Sequence, residues 1–293
     1  MQNFNMVLEA ILNPVEAEKR PWQMFFLGML FSIIGIFFSY IIFRDQASLV
    51  AVFLIVLASI PIIYNTIKLE ELKDEKTKLP ERKLLREHAK ALSVFMFLFF
   101  GIMVSFALAY VFLPQDFVNS LFLLQTTTIE QINSNVVGNF FLAGATGFDM
   151  FVAVFLNNLW VMALCVLFAF LYGVGAIFIL TWNATVIGVA IGSFVRGNIG
   201  EVMASIGFVN AGHYFGIFSL GLLRYLIHGV FEILAYFVAG LAGGIISISI
   251  IRHAIEKHKF KRVLIDASGL LLIAVTLLVF AAFIEIYINP ILF

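Results

Sequence analysis

Three ionisable residues stand four positions apart in a segment that is otherwise apolar. Arg224, His228 and Glu232 lie within LLRYLIHGVFEILAYFVAG, residues 222–240. Residues four apart in a helix lie one turn above each other, so these three side chains share one face. A charged group at the centre of a membrane helix costs about 2.5–3.5 kcal/mol, so we expect partners inside the protein rather than contact with lipid.

Polar residues of other apolar segments are expected to meet this face. In the topology argued below, four segments place polar side chains in the outward-facing half of the membrane. We expect Glu232 to pair with His228, Arg224 to pair with Glu232 or Glu285, and asparagines to bridge helices. The predicted intramembrane polar cluster consists of Asn157, Asn158, Asn183, Arg224, His228, Glu232 and Glu285.

Four roles fit such a cluster. It can lock the helices together through mutual pairing, or it can line a hydrated pathway for protons, ions or a substrate. It can also form a cleft for a partner protein. His228 and Glu232 have a spacing that can share a metal ion, but a third ligand is not evident, so no metal site is predicted.

Motifs that would indicate an enzyme are missing from the sequence. There is no His-Glu-x-x-His, no Gly-x-Ser-x-Gly and no phosphate-binding Walker loop. The single cysteine, Cys165, excludes an intramolecular disulfide. We therefore predict no enzymatic activity, no catalytic residue and no cofactor.

The composition indicates how these residues are positioned. Of 293 residues, 62% are hydrophobic and 12% are charged, whereas soluble domains are about 25% charged. We predict an all-α, polytopic integral membrane protein of about seven transmembrane helices. The apolar segments are roughly 23–43, 48–66, 91–113, 150–172, 174–195, 226–250 and 263–285.

Lysine and arginine are distributed unevenly between the loops. They are frequent in 67–90 and 252–262 and missing from 114–149. By the positive-inside rule, the amino terminus is cytoplasmic and the carboxy terminus extracytoplasmic in a multi-pass protein of the cell membrane. The basic residues form no compact surface elsewhere, so nucleic acid is not an expected partner.

The chain divides into four predicted regions. Residues 174–226 are rich in glycine and small polar residues, and we expect part of the following stretch either to lie in the interface or to form a half-helix that re-enters the membrane within 200–226, with Gly229 as a candidate helix break. The regions are an interfacial amphipathic segment at 1–22, a three-helix membrane region at 23–113 with a cytoplasmic hairpin at 67–90 broken near Pro80, an extracytoplasmic loop at 114–149, and a membrane core at 150–293.

Glycines four residues apart predict close helix packing. Gly188 and Gly192 form one such pair, and Gly240 and Gly244 form another. Packing within the chain is the favoured interpretation, and contact between two copies in a homo-oligomer is the alternative. The predicted helix-packing glycines are Gly173, Gly175, Gly188, Gly192, Gly229, Gly240 and Gly244.

Residues 150–288 resemble the stage II sporulation protein M family. The resemblance is carried by the Asn157–Asn158 pair, a later asparagine followed by glycine (Asn183, Gly188), and a His-Gly-x-x-Glu element. That element is His228, Gly229 and Glu232, and the last helix carries Glu285. The amino-terminal half is similar to the longer, archaeal-type members, which carry added amino-terminal helices.

The resemblance implies a membrane scaffold. The bacterial namesake is implied to recruit cell-wall hydrolases during engulfment, and this chain differs by its extra helices and charged hairpin. We therefore expect a non-enzymatic scaffold of an envelope or membrane-remodelling complex, whose partners are the lipid bilayer and other membrane or envelope proteins. The alternative is a transporter or channel that uses the polar cluster as its pathway.

Overall fold

The computed structural model describes residues 13–76, 81–131, 146–172, 175–253 and 257–292, and these contain helices and no strand. Seven helices in this part are long and apolar enough to cross a membrane, which confirms the all-α polytopic prediction. The elements are α1 (Pro14–Lys19), α2 (Trp22–Ile42), a 3₁₀ turn (Arg44–Gln46), α3 (Ala47–Lys76), α4 (Glu81–Phe112), α5 (Gln115–Leu121), α6 (123–131), α7 (Gly147–Tyr172), α8 (Ala176–Ile206), α9 (Ala211–His253), α10 (Lys257–Phe283), a π-helical segment (Ile284–Ile288) and α11 (Asn289–Leu292).

Helix α2 packs against α3 and α4 through small residues. Its buried positions recur every three or four residues, which places them on one face of the helix. A Cβ atom at Gly28 would overlap the carbonyl oxygen of Leu98 on α4, and one at Gly101 would overlap the carbonyl oxygen of Phe25. The two backbones therefore touch, as small residues permit in membrane helices. The buried positions of the α2 face are Met24, Gly28, Ser32, Gly35 and Ser39.

Helices α4 and α8 join the two halves of the chain. A Cβ at Gly188 would lie 2.5 Å from the carbonyl oxygen of Met103, and one at Gly192 would lie 2.7 Å from Cβ of Tyr110. Both distances are too short for any side chain larger than hydrogen. The amino-terminal helices and the carboxy-terminal core are thus packed as one bundle, with Gly188 and Gly192 at the contact.

Helix α9 is the centre of the bundle. It packs against α7, α8 and α10, and its 43 residues measure about 65 Å, which exceeds the ~30 Å hydrocarbon core. It is continuous through Gly229, so the predicted break there is wrong; a helix supported by tertiary packing carries one glycine at a cost of about 1 kcal/mol.

The stretch predicted to re-enter the membrane is a helical hairpin. Residues 200–206 complete α8, Gly207 has a positive φ of 80° that ends the helix, and α9 begins at Ala211. Most side chains from 200 to 216 are exposed. The glycine-rich composition therefore belongs to the tip of the α8–α9 hairpin, and a re-entrant position of residues 200–226 stays a prediction.

Two ends of the bundle can be distinguished. At one end, called here the charged end, α3 finishes at Lys76 and α4 begins at Glu81, and the predicted break near Pro80 lies outside the described residues. At the opposite end, Arg196 Nη1 donates to the carbonyl oxygens of Tyr110 (2.9 Å) and Leu113 (3.0 Å). A cation there satisfies the unpaired carbonyls and the negative dipole at the end of α4.

Candidate functional site

Three helical elements bring one amide and two carboxyl groups together inside the bundle. Asn158 Nδ2 on α7 donates to Glu232 Oε1 on α9 at 2.5 Å. The carboxyl group of Glu285, in the π-helical segment, lies close enough to that of Glu232 for the two groups to interact. Two carboxyl groups can hydrogen-bond each other only when one of them carries a proton. We call Asn158, Glu232 and Glu285 the carboxyl–amide site.

Local helix geometry explains why these side chains meet. On α7 the buried positions Asn158, Met162, Cys165 and Ala169 are three or four residues apart and form the face toward α9. Glu285 lies in a stretch of π-helix, where the backbone N–H of Asn289 bonds the carbonyl oxygen of Ile284. Such wide turns occur often at functional sites, and here one coincides with the carboxyl contact.

A second polar contact lies one helical turn from the carboxyl pair. Nδ2 of Asn289 is 3.1 Å from Nδ1 of His228. Residues 228 and 232 of α9 thus face residues 289 and 285 of the last helix, in the order expected of two antiparallel helices. The amide donates and the ring nitrogen accepts in this arrangement.

The other predicted cluster residues lie elsewhere. The guanidinium of Arg224 is exposed and lies 5.7 Å from the ring centre of Phe194, so the expected pair with Glu232 or Glu285 does not form among the described residues. Arg224 stands eight residues from Glu232 along α9, about 12 Å, which separates the two groups. The expected His228–Glu232 pair is replaced by the His228–Asn289 contact.

Two asparagines of the predicted cluster differ in their surroundings. Asn183 donates to the carbonyl oxygen of Ile179 in its own helix, so it does not bridge helices through that bond. Asn157 is exposed on α7 and donates one long hydrogen bond, 3.4 Å, to Oδ1 of Asn158. Of the asparagines predicted to bridge helices, Asn158 is the one whose amide bonds a carboxylate of another helix.

The predicted packing glycines differ in whether a Cβ atom at each position would collide with a neighbouring residue. A Cβ at Gly175 would overlap the carbonyl oxygen of Phe168, and one at Gly240 would lie 3.0 Å from Cβ of Ala176. Gly244 is buried in α9. A Cβ at Gly229 would meet nothing within 4 Å among the described residues, so no close backbone contact is seen at this predicted packing glycine. Gly173 lies outside the described residues.

Tyr236 is a site residue that the sequence prediction missed. It is buried on α9, one turn beyond Glu232, and lies close enough to Glu232, Glu285 and Cys165 to interact with them electrostatically. Tyr236 follows Glu232 by four residues, which places it on the same helix face, and this spacing is the signal in the sequence that could have identified it.

A second buried polar network lies at the end of the bundle opposite the charged end, on the side that carries Arg196. Ser48 Oγ donates to Oε1 of Gln125 at 2.6 Å, and Nε2 of Gln125 donates to Oγ1 of Thr185 at 3.3 Å. All three residues are at most 3% exposed. The network ties α6 to α3 and α8, and Gln125 was not predicted because it lies within the stretch taken as a loop.

A third cluster ties α1 to the charged end. Lys73 Nζ lies 2.8 Å from Glu18 Oε2 and 2.5 Å from Glu70 Oε1, and Glu70 Oε2 lies 2.7 Å from Nδ1 of His88. Burial raises the pKa of Glu18 to about 7, and the hydrogen bond from Lys73 opposes this change.

The donor set defines what the carboxyl–amide site can do. Within the described residues, no three histidine, cysteine, aspartate or glutamate side chains come together as metal ligands would. The carboxyl pair can hold a proton between its oxygens, and the amide of Asn158 fixes one carboxyl group in place. Its chemistry is therefore hydrogen bonding and proton exchange.

Comparison with known proteins identifies one family. The family model described as Stage II sporulation protein M matches residues 29–290. This match covers the amino-terminal helices as well as the region 150–288 that carries the recognisable motifs. No curated protein and no solved structure matches the chain.

Proposed function

Because the chain belongs to the stage II sporulation protein M family, we propose that it is a non-enzymatic membrane scaffold that assembles other membrane or envelope proteins. In this proposal the carboxyl–amide site is a structural lock that holds α7, α9 and the last helix together. The observation that carries it is the pairing of Asn158 with Glu232 and of Glu232 with Glu285.

The position of α9 supports a locking role. Membrane helices gain little from the hydrophobic effect when they associate, so packing and interhelical hydrogen bonds hold them. Asn158, Glu232 and Glu285 join three elements at one point, and His228 with Asn289 adds a contact one turn away. A rigid core of this kind would keep the described helix ends on both sides of the bundle in fixed positions.

The proposed orientation places two surfaces toward partners. The charged end carries the lysine- and arginine-rich loops, so we place it and the amino terminus in the cytoplasm and the carboxy terminus outside. The charged residues of 67–90 would then meet soluble or membrane partners from the cytoplasmic side. The residues of 114–149 would meet envelope components.

A transporter or channel is the second candidate function. Glu232 and Glu285 are only partly buried, and one of them lies in a π-helical segment. Ionisable residues inside membranes often mark proton or ion pathways. In this alternative the carboxyl pair would take up and release a proton as the pathway opens to each side.

Flux through proteoliposomes separates the two candidates. Proton and monovalent-cation flux would be measured for the wild type, for Glu232→Gln, and for the matched control Asn183→Ala, whose amide bonds its own helix. The scaffold proposal expects flux no greater than in protein-free liposomes for all three proteins. Wild-type flux that Glu232→Gln abolishes and Asn183→Ala preserves, with every variant folded, would overturn it in favour of transport.

A further inference from the structure

Helix α7 leaves most of its surface uncovered. Only 17% of its most apolar stretch is buried, against 83% for α9, which is the largest difference among the seven spanning helices. Its inner face, defined by Asn158, Met162, Cys165 and Ala169, packs against α9. The outer side of α7 therefore faces the surroundings of the bundle.

Six positions of the outer side lie along one line of the helix. Starting at residue 150, positions alternate by three and four residues, which is the 3.5-residue spacing of helices that wind around each other. None of these side chains is buried, whereas the inner face is buried throughout. The positions, called here the α7 seam, are Met150, Ala153, Asn157, Trp160, Leu164 and Leu167.

One polar residue interrupts the seam. Asn157 is exposed in the membrane-spanning part of α7, and its hydrogen bond to Oδ1 of Asn158, at 3.4 Å, engages one of its two amide hydrogens. A primary amide facing lipid loses hydrogen bonds that water or protein would supply. In paired helices a single asparagine at such a seam position fixes register and the number of helices.

We propose that the α7 seam is the interface of a parallel homodimer, in which Asn157 bonds Asn157 of the partner subunit. Two copies in one membrane have the same orientation, so a two-fold axis along the membrane normal places identical residues at identical depth. Asparagine both donates and accepts, so it is complementary to itself. A different partner would need its own polar group at this depth, whereas a second copy has one by symmetry.

The interface adjoins the carboxyl–amide site. Asn157 bonds Asn158, and Asn158 donates to Glu232, so a change at the seam reaches the site through two hydrogen bonds. The proposal itself does not depend on whether the protein is a scaffold or a transporter.

Dilution in lipid bilayers tests the proposal with the full chain. The fraction of dimers would be measured by single-molecule photobleaching at decreasing protein-to-lipid ratios for the wild type, Asn157→Ala and Asn183→Ala. One interhelical hydrogen bond supports an effect of roughly 3- to 20-fold, so Asn157→Ala should weaken association by that factor. Asn183→Ala should leave it unchanged, because that amide bonds its own helix.

Disulfide formation locates the contact independently of Asn157. In a Cys165→Ala background, Leu167→Cys on the seam should cross-link two copies efficiently. Phe280→Cys on α10 is the matched control, since the two native side chains are 48% and 49% exposed. A monomer at every dilution would overturn the proposal, as would equal cross-linking at the two positions or a dimer indifferent to Asn157→Ala.

Discussion

The carboxyl groups of Glu232 and Glu285 face each other between two antiparallel helices of the bundle, closely enough to interact. Two carboxyl groups this close can hydrogen-bond each other when one of them carries a proton. The nearest arginine on the same helix, Arg224, is turned toward Phe194 instead. Among the described residues, the site is therefore joined by the Asn158–Glu232 hydrogen bond and the neighbouring carboxyl group of Glu285, with no ion pair between them.

The effect of substitutions at Glu232 should depend on hydrogen-bonding capacity. Glu232→Ala removes the acceptor for Asn158 and the partner of Glu285, and leaving buried polar groups unpaired costs about 1–3 kcal/mol of unfolding free energy. Glu232→Gln keeps an acceptor and a donor, so we expect a loss below about 1 kcal/mol. Reversible unfolding in mixed micelles measures the unfolding free energy of each variant relative to the wild type.

The comparison between the two Glu232 variants decides what holds the site. Equal destabilisation by alanine and glutamine would show that the charge of Glu232, rather than its hydrogen bonds, is what stabilises the bundle. That outcome would favour an ionised carboxylate with a cationic partner over a carboxyl pair that shares a proton.

Much of the fold follows from hydropathy, because a spanning helix needs about 20 apolar residues whatever it packs against. The seven spans were predictable for that reason, as was the gathering of Asn158, Glu232 and Glu285 in one region. The side chains that contact the polar residues of α9 were not predictable in the same way. Spacing along α9 places Arg224, His228 and Glu232 on one face, but the rotation of neighbouring helices decides which groups they meet.

The role of a glycine in helix packing is also hard to predict from sequence alone. Gly188 and Gly229 both stand in spanning helices, yet one touches a neighbouring backbone and the other faces open space. Sequence gives the residue type, and only the approach of the second helix determines whether a side chain would fit. The π-helical turn that carries Glu285 also has no signal in residue spacing, since it depends on how the last helix ends.

The contact between α4 and α8 should be sensitive to a single methyl group. Gly188→Ala would place Cβ 2.5 Å from the carbonyl oxygen of Met103, so the helices must separate, at a cost of about 1–3 kcal/mol. Gly229→Ala is the matched control, for which we expect no loss or a gain of up to about 1 kcal/mol. Thermal unfolding of both variants would be compared with the wild type. A stable Gly188→Ala protein would contradict the backbone contact.

The buried network around Gln125 should stabilise the end of the bundle that carries Arg196. Gln125→Leu leaves Ser48 Oγ without its acceptor, and we expect a loss of about 1–3 kcal/mol in unfolding free energy. Gln115→Leu is the control, because Gln115 is exposed and bonds only Asn119 in its own helix among the contacts described. Equal stability of the two variants would mean that α6 is held by apolar packing alone.

The docking of α1 should weaken as pH rises through neutrality. Burial raises the pKa of Glu18 from its ordinary 4.5 to about 7, so between these values the folded protein binds more protons than the unfolded chain. Stability then falls with increasing pH: the contribution is fully present below about pH 4.5 and is lost through pH 7. Lys73 and Glu70 on α3 and Glu87 and His88 on α4 are the other titratable groups of this cluster.

Glu18→Gln isolates this contribution because glutamine does not ionise and can still accept a hydrogen bond from Lys73. Thermal unfolding from pH 5 to 9 should show a fall in melting temperature for the wild type that is shallower in the variant. The difference between the two curves cancels the titration of His88, which both proteins share. If the wild type instead gained stability relative to Glu18→Gln with rising pH, attraction to Lys73 would outweigh burial, and the folded pKa of Glu18 would lie below its ordinary value.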